Sequence, residues 1–266
     1  MFKPVAVFLF FLIPVILSAQ KAGYEDFFSK RGAEQLSTRQ LAVLQKEYLD
    51  KLYMGSVTVP NELINGREYF PYFYRSGTNP LLFADKSRTS TLFFRDMKFS
   101  NISLNYDTFL DVLVFTDNSK LVNGHYPQIA LNNDNIRGFN LYFGYDSLSF
   151  KYLRFNGEKG SRMKDGFYEL AYDGKIKFLI KHKSTVYNKE GLDKYAYSPD
   201  KYIMYGDSYF RITSNHSLQK GLGERSKEMA QLMKKKGVNI RKATKDQISD
   251  LLKTFDESVE KSNQKE

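Results

Sequence analysis

The chain has no cysteine, no tryptophan and only three histidines among its 266 residues. Without cysteine, disulfide bonds, thiol catalysis and cysteine-based zinc sites are excluded, so side-chain packing must hold the fold together. The histidines, His125, His182 and His216, lie in three different segments without the spacing of metal ligands. We therefore predict a structural or surface role for each of them.

The motifs of common enzyme classes are also absent. The sequence has no G-x-S-x-G nucleophile elbow, no Walker loop and no dinucleotide-binding fingerprint. On an extended strand, Asp107 and Asp111 would lie roughly 13 Å apart, farther than the paired carboxylates of glycosidases. Asp107 is interpreted as a turn former, and Asp111 as either a partnered half-buried group or an exposed one. We predict no catalytic residue, no cofactor and no metal site.

The first 19 residues have the pattern of a signal peptide. Lys3 supplies the positive start, Val5 to Leu17 form an apolar run, and Ser18-Ala19 offer small residues for cleavage. The run is shorter than the about 20 residues that a membrane span needs. We expect cleavage near Gln20, leaving an exported chain that is not an integral membrane protein. An uncleaved N-terminal anchor is the alternative.

Basic residues exceed acidic ones, since 40 lysines and arginines oppose 30 aspartates and glutamates for a net charge of +10. Such an excess suits an anionic neighbour, for example a lipid head group or an acidic polysaccharide. Both signs are interspersed along the chain, however, as on an ordinary solvated surface. Without a concentrated basic stripe, an exported chain is not expected to bind nucleic acid.

Alternating apolar residues predict a mainly β fold. The stretch Thr91–Phe115 predicts a three-stranded antiparallel meander with turns at Arg95-Asp96 and Asn105-Tyr106-Asp107. Two further hairpins are predicted, one turning at Asp173-Gly174 and one at Gly206-Asp207. The short strands predicted between these hairpins complete an antiparallel sheet.

Helical spacing of apolar residues occurs on both sides of the predicted sheet. An N-terminal helix is predicted over about 37–54, and two C-terminal helices over Glu224–Lys235 and after the capping residue Thr244. The expected fold is α+β, an open barrel or sandwich-like antiparallel sheet on which these helices pack. The expected parts are a signal peptide at 1–19, a β domain at 20–216 and a helical extension at 217–266.

Aromatic residues are the one compositional excess, with 19 tyrosines and 22 phenylalanines. Five of them flank Pro71 and form the predicted interaction patch: Tyr69, Phe70, Tyr72, Phe73 and Tyr74. Proline cannot donate a ladder hydrogen bond, so this segment is predicted to be an edge strand or a wrapping loop. Its rings are suited to stacking on sugars, to a partner interface or to core packing, and these alternatives remain open.

Four segments resemble exported proteins of unknown function from Bacteroidota: Asn65–Tyr72, Asn105–Phe115, Gly166–Gly174 and Ser208–Leu222. The resemblance implies the envelope of a Gram-negative bacterium, in the periplasm or at the outer surface, and it transfers no functional residue. Asp146-Ser147-Leu148 also resembles the O-glycosylation acceptor of that phylum, so Ser147 is a candidate modification site.

Two functions are compatible with these patterns. The first is a non-enzymatic binding or accessory module of the cell envelope, whose partner is another envelope protein or a glycan. It predicts an exposed aromatic or apolar surface. The alternative is a hydrolase acting on envelope or dietary polymers, which predicts a cleft that gathers Asp, Glu or His from separate loops.

Overall fold

The computed structural model describes residues 66–263 except 71, 73–77, 84–85, 120, 123 and 156–162. These residues all belong to one compact unit, Asn61–Glu266. The predicted signal peptide, 1–19, and the predicted helix over about 37–54 lie outside the described residues.

The described residues contain thirteen strands, eleven of which form one antiparallel sheet in the order β1-β5-β4-β3-β2-β6-β7-β8-β9-β12-β13. The sheet is open, with β1 and β13 at its edges, and β10 and β11 form a separate hairpin. The predicted mainly β class with packed helices is thus confirmed. The strands are β1 Arg67–Glu68, β2 Arg88–Phe94, β3 Met97–Asp107, β4 Val112–Thr116, β5 Gln128–Ala130, β6 Ile136–Phe143, β7 Asp146–Leu153, β8 Gly166–Asp173, β9 Ile176–Lys181, β10 Ser184–Lys189, β11 Leu192–Tyr197, β12 Asp200–Tyr205 and β13 Ser208–Arg211.

The predicted meander is present, but its second turn lies later than expected. Strands β2 and β3 are joined at Arg95-Asp96, as predicted. Strand β3 then continues through Asp107, and the turn to β4 occupies 108–111. Tyr106 stays in the strand because its ring is fully buried among other aromatic rings of the sheet. Alternation with Val112 and Val114 predicts Leu110 on a strand face, but Leu110 lies in the turn and is 52% exposed.

The two other predicted hairpins are confirmed. Strands β8 and β9 are joined at Asp173-Gly174, and β12 and β13 at Gly206-Asp207. The alternation of side chains over Lys175–Val186 predicts one strand with a basic face that also carries Leu179. The single strand is wrong, because β9 ends at Lys181 and β10 starts at Ser184. Leu179 is buried in a small apolar cluster.

Three helices follow β13: α1 Asn215–Gly221, α2 Ser226–Lys236 and α3 Lys245–Asn263. The helix α1 was not predicted, and a capping box between Ser214 and Ser217 starts it. Gly237 ends α2 with a φ of 64°, a left-handed conformation that glycine adopts without strain. The side chain of Gln247 accepts from the backbone N–H of Thr244, and Thr244 Oγ1 accepts from Gln247, which confirms the predicted cap of α3.

The helices cover one part of the sheet with apolar side chains. Ile248, Leu251 and Phe255 of α3 are buried in one cluster with Ile176 and Phe178 of β9. Among the helices of the described residues, none has the length and apolar character needed to cross a membrane.

Elsewhere the sheet buries stacked aromatic rings instead. Phe139 and Phe150, which are cross-strand partners on β6 and β7, stack with centroids 4.4 Å apart. Tyr106 and Phe167 pack their edges against this pair. Part of the aromatic excess of the sequence is therefore used in the core.

Candidate functional site

The predicted aromatic patch is divided between the interior and the surface. Tyr69 is buried, Tyr72 is half-buried, and Phe70 is 76% exposed. Phe73 and Tyr74 lie outside the described residues. The hydroxyls of Tyr69 and Tyr72 both donate to Oδ2 of Asp107, at 3.0 and 2.7 Å. Two of the five rings therefore support the turn after β3.

Asp107 stabilises the turn after β3, as predicted for a turn former. Its Oδ1 accepts from the backbone N–H groups of Phe109 and Leu110, at 2.8 and 2.9 Å. The side chain is fully buried. Burial, and then the negative charge of Asp107, raise the pKa of Tyr69 far above its ordinary value, and the same two causes act on Tyr72. Both tyrosines therefore remain protonated donors to the carboxylate.

Asp111 is half-buried and has hydrogen-bond partners, which is the first of the two alternatives predicted for it. It has a φ of 57° at the end of the turn, and it accepts hydrogen bonds from the hydroxyl of Tyr106 and from Nζ of Lys181, the latter at 2.6 Å. Burial lowers the pKa of Lys181, against the opposing effect of Asp111. Gly166 starts β8 with a φ of 146°, which favours glycine, and a Cβ there would lie 2.0 Å from the Asp111 carboxylate.

The same turn contacts the β10–β11 hairpin. The backbone N–H of Ser184 donates to the carbonyl of Thr108 at 3.0 Å, and the two side-chain hydroxyls lie 2.7 Å apart. The ring of Tyr195 lies 4.8 Å from that of Tyr72 and 5.4 Å from that of Phe109. The base of the hairpin is thus fixed to the sheet by an aromatic cluster that includes Tyr72 of the predicted patch.

Beyond its base, the hairpin is exposed on both faces. Ser184 is its one buried residue. Its apolar side chains, which are exposed to solvent, are Val186, Tyr187, Leu192 and Tyr197. Strand β11 was not predicted from the sequence. The Glu190-Gly191 dipeptide between alternating polar and apolar residues is typical of a hairpin turn and could have indicated it.

A chain of hydrogen bonds runs inward from Tyr197 at the end of the hairpin. The Tyr197 hydroxyl lies 2.6 Å from Nδ1 of His182, and Nε2 of His182 lies 2.7 Å from a carboxylate oxygen of Glu169. Lys245 of α3 donates to the other oxygen of Glu169 at 2.9 Å. In the neutral ring, with Nε2–H donating to the carboxylate, Nδ1 accepts from the Tyr197 hydroxyl, whereas in the protonated ring both nitrogens donate. His182 thus has the structural role that was predicted.

A pocket of about 220 Å³ adjoins the outer end of this chain. Its wall includes Pro80, Leu82, Thr108, Ser184 and Tyr197. Partial burial and the negative charge of Glu169 raise the pKa of Tyr197 to about 12, so the hydroxyl keeps its proton at neutral pH. The arrangement places a hydrogen-bonding phenol in the wall of a mostly apolar pocket.

We expect Glu169 to make the stability of the protein depend on acid pH. Its burial raises the carboxyl pKa, but hydrogen bonds and charge from His182 and Lys245 outweigh this effect and lower the pKa below its ordinary 4.5. A carboxyl whose pKa is lower in the folded state than in the unfolded state stabilises the fold at pH values above the unfolded pKa. This stabilisation is lost as the pH falls through the folded pKa. Melting temperatures measured from pH 7 to about pH 3 should therefore fall less steeply for Glu169→Gln than for the wild type.

Glu257→Gln is the matched control, since Glu257 is exposed on α3. This variant should keep the wild-type acid slope. An unchanged slope in Glu169→Gln would show that the carboxylate of Glu169 does not contribute to the acid sensitivity of the fold.

The other predicted sites lie apart from this region. His125 and His216 are exposed, and Ser147 is exposed on β7 opposite Tyr142. Within the part of the chain that the structure describes, no group of three or more His, Asp or Glu side chains is placed to hold a metal ion.

The chain matches no protein-family model, no curated protein and no solved structure. Its function must therefore be argued from the residues themselves.

Proposed function

We propose that the protein is a non-enzymatic binding or accessory module of a Gram-negative cell envelope, and that the β10–β11 hairpin contacts its partner protein. The observation that carries this proposal is the exposure of Val186, Tyr187 and Leu192 on an anchored hairpin. Exposed apolar side chains that cluster on one element are typical of interaction sites. Export through the predicted signal peptide, 1–19, would place this hairpin in the envelope.

The anchoring supports a binding role for the hairpin. An isolated two-stranded hairpin is at best marginally stable in water. Here Tyr195 packs on Tyr72 and Phe109, and its backbone N–H donates to Thr78 Oγ1 at 2.8 Å. The exposed part of the hairpin is thus held in one position before a partner arrives, which lowers the entropy cost of binding.

One face of the hairpin combines apolar and basic groups. Tyr187 lies opposite Lys194, and Lys189 lies opposite Leu192. In β-strands, directly opposed residues share a face, so a ring, an aliphatic side chain and two cations lie together. This face fits a partner surface with an apolar centre and surrounding carboxylates.

The hydrogen bonds of Asp107, Asp111 and Glu169 favour a binding function over hydrolysis. Asp107 accepts from two tyrosines and two backbone N–H groups, and Asp111 accepts from Tyr106 and Lys181. Glu169 is held by His182 and Lys245. These carboxylates are used in contacts that stabilise the fold.

The hairpin can be tested by crosslinking and affinity purification of the tagged mature protein from its own cell envelope. We expect one envelope protein in near-equal amount. Its recovery should fall by at least about tenfold in the Tyr187→Ser, Leu192→Ser double variant, because central interfacial tyrosines contribute about 2 kcal/mol or more to binding. Quantitative mass spectrometry measures both amounts.

Tyr145→Ser is the control, because Tyr145 is a fully exposed ring in the turn between β6 and β7. It should leave recovery unchanged, and melting curves should show that all variants are folded. Equal recovery with the wild type and the double variant would refute the hairpin as the contact, and recovery of no envelope protein would refute a stable protein partner.

A further inference from the structure

A second surface of the protein has a different chemistry. Around the turn between β2 and β3, an open groove of about 610 Å³ is bordered by charged side chains and one ring. Six of its lining residues are charged or aromatic: Arg95, Arg137, Arg154, Asp96, Asp134 and Tyr152.

Three neighbouring elements bring the arginines together. Arg95 lies in the β2–β3 turn, and its backbone N–H donates to the carbonyl of Asn135 at 2.8 Å. Arg137 lies near the start of β6, and Arg154 follows the end of β7. Strands β6 and β7 are paired through Gly138 and Lys151, so their neighbouring ends meet at this groove.

The guanidinium groups of Arg137 and Arg154 keep donors for a ligand. Arg137 Nη2 contacts Asp96 Oδ1 at 2.6 Å, and both side chains are mostly exposed, so this ion pair is weak and exchangeable. Arg154 Nη2 donates to the carbonyl of Asp134 at 2.9 Å. Each of these bonds uses one of the five N–H donors of a guanidinium.

Tyr152 supplies an apolar face beside these charges. The guanidinium of Arg154 lies 5.7 Å from the centre of its ring. Aromatic faces of this kind stack on the C–H face of a sugar ring. Asp96 and Asp134 add carboxylates that can accept hydrogen bonds from sugar hydroxyls.

We infer that this groove binds a carboxylated sugar unit of an acidic polysaccharide. A guanidinium fork matches a carboxylate with two parallel hydrogen bonds, which a lysine cannot reproduce. The ring and the acids recognise the sugar, and the arginines recognise its charge. The excess of basic over acidic side chains attracts such a polyanion.

Trigalacturonate, titrated by calorimetry at about 20 mM salt, is the first probe, and maltotriose is the neutral control. We expect trigalacturonate to bind and maltotriose not to bind. The double variant Arg137→Gln, Arg154→Gln should weaken binding by at least about tenfold, because it removes two charge-assisted contacts. Arg154→Lys should also weaken it, since the charge stays and the fork is lost.

Lys234→Gln, Lys235→Gln on α2 is the matched control, because both lysines are exposed and the change in net charge is the same. It should weaken binding by less than about twofold. Equal weakening by the two double variants would show attraction by net charge alone and overturn the proposal. Absence of trigalacturonate binding would overturn it as well. Inorganic phosphate binding as tightly as trigalacturonate would overturn the sugar assignment.

The proposals for the groove and for the hairpin can be tested separately. The hairpin variant Tyr187→Ser, Leu192→Ser should leave trigalacturonate binding unchanged. Loss of that binding in the hairpin variant would place the sugar on the hairpin and overturn the assignment to the groove.

Discussion

Replacing Asp107 with alanine is expected to lower the free energy of unfolding by about 3–5 kcal/mol, as for a buried charge network that loses one member. The Asp107 carboxylate is fully buried and accepts four hydrogen bonds, from the hydroxyls of Tyr69 and Tyr72 and from the backbone N–H groups of Phe109 and Leu110. Alanine would leave these donors without their acceptor, and each buried unsatisfied donor costs about 1–3 kcal/mol. Urea unfolding followed by circular dichroism measures the change.

Asp107→Asn separates the hydrogen bonds of the turn from the negative charge. One amide oxygen can still accept from Phe109 and Leu110, while the amide NH₂ would face Tyr69 and Tyr72. We expect about half of the alanine effect, since bonds to ionised acceptors are about twice as strong as neutral ones. A loss below about 1 kcal/mol in Asp107→Ala would contradict the role assigned to this carboxylate.

Phe139→Ala should destabilise the fold by a similar amount, about 3–5 kcal/mol. Its ring is fully buried, stacks on Phe150 with centroids 4.4 Å apart, and contacts Phe167 and Tyr106 edge-on or tilted. Alanine loses the transfer free energy of the ring and leaves a cavity that neighbouring strands cannot close. The same urea titration gives the size of the effect.

Two variants calibrate the change at Phe139. Phe139→Leu keeps most of the side-chain volume, so its loss of unfolding free energy should be about half that of Phe139→Ala or smaller. Phe70→Ala removes a ring that is 76% exposed and should change stability by less than about 0.5 kcal/mol. A Phe139→Ala loss as small as that of Phe70→Ala would place the main core away from β6 and β7.

The elements that the sequence predicted correctly are those specified by neighbouring residues. Asp173-Gly174 and Gly206-Asp207 are turn dipeptides between alternating strands, and both mark real hairpins. Thr244 and Gln247, three residues apart, form the cap that starts α3. Turns and caps depend on the conformations of a few neighbouring residues, so they can be recognised from a short stretch of sequence.

The errors occur where distant residues decide the structure. The turn after β3 is displaced because Tyr106 packs on Phe139 and Phe150, more than thirty residues later in the chain. Asp107 receives hydroxyl donors from residues 38 and 35 positions earlier. No local pattern records such pairings, so turn-forming residues could be recognised but not placed.

The candidate sites were predictable to different degrees. Tyr69 and Tyr72 were identified as part of an aromatic segment, but the pattern could not separate rings that support a turn from the exposed ring of Phe70. The arginines of the groove were not found, because Arg95 and Arg137 are far apart in the chain and neither belongs to a motif. Sheet order, which brings them together, is a long-range property.

The position of α3 has a consequence for the order in which the fold is completed. Ile248, Leu251 and Phe255, near the C-terminus, complete the apolar cluster over Ile176 and Phe178. The strands of that part of the sheet therefore keep an uncovered apolar face until α3 is in place. A partly folded chain that lacks α3 exposes this apolar surface, and such surfaces promote aggregation.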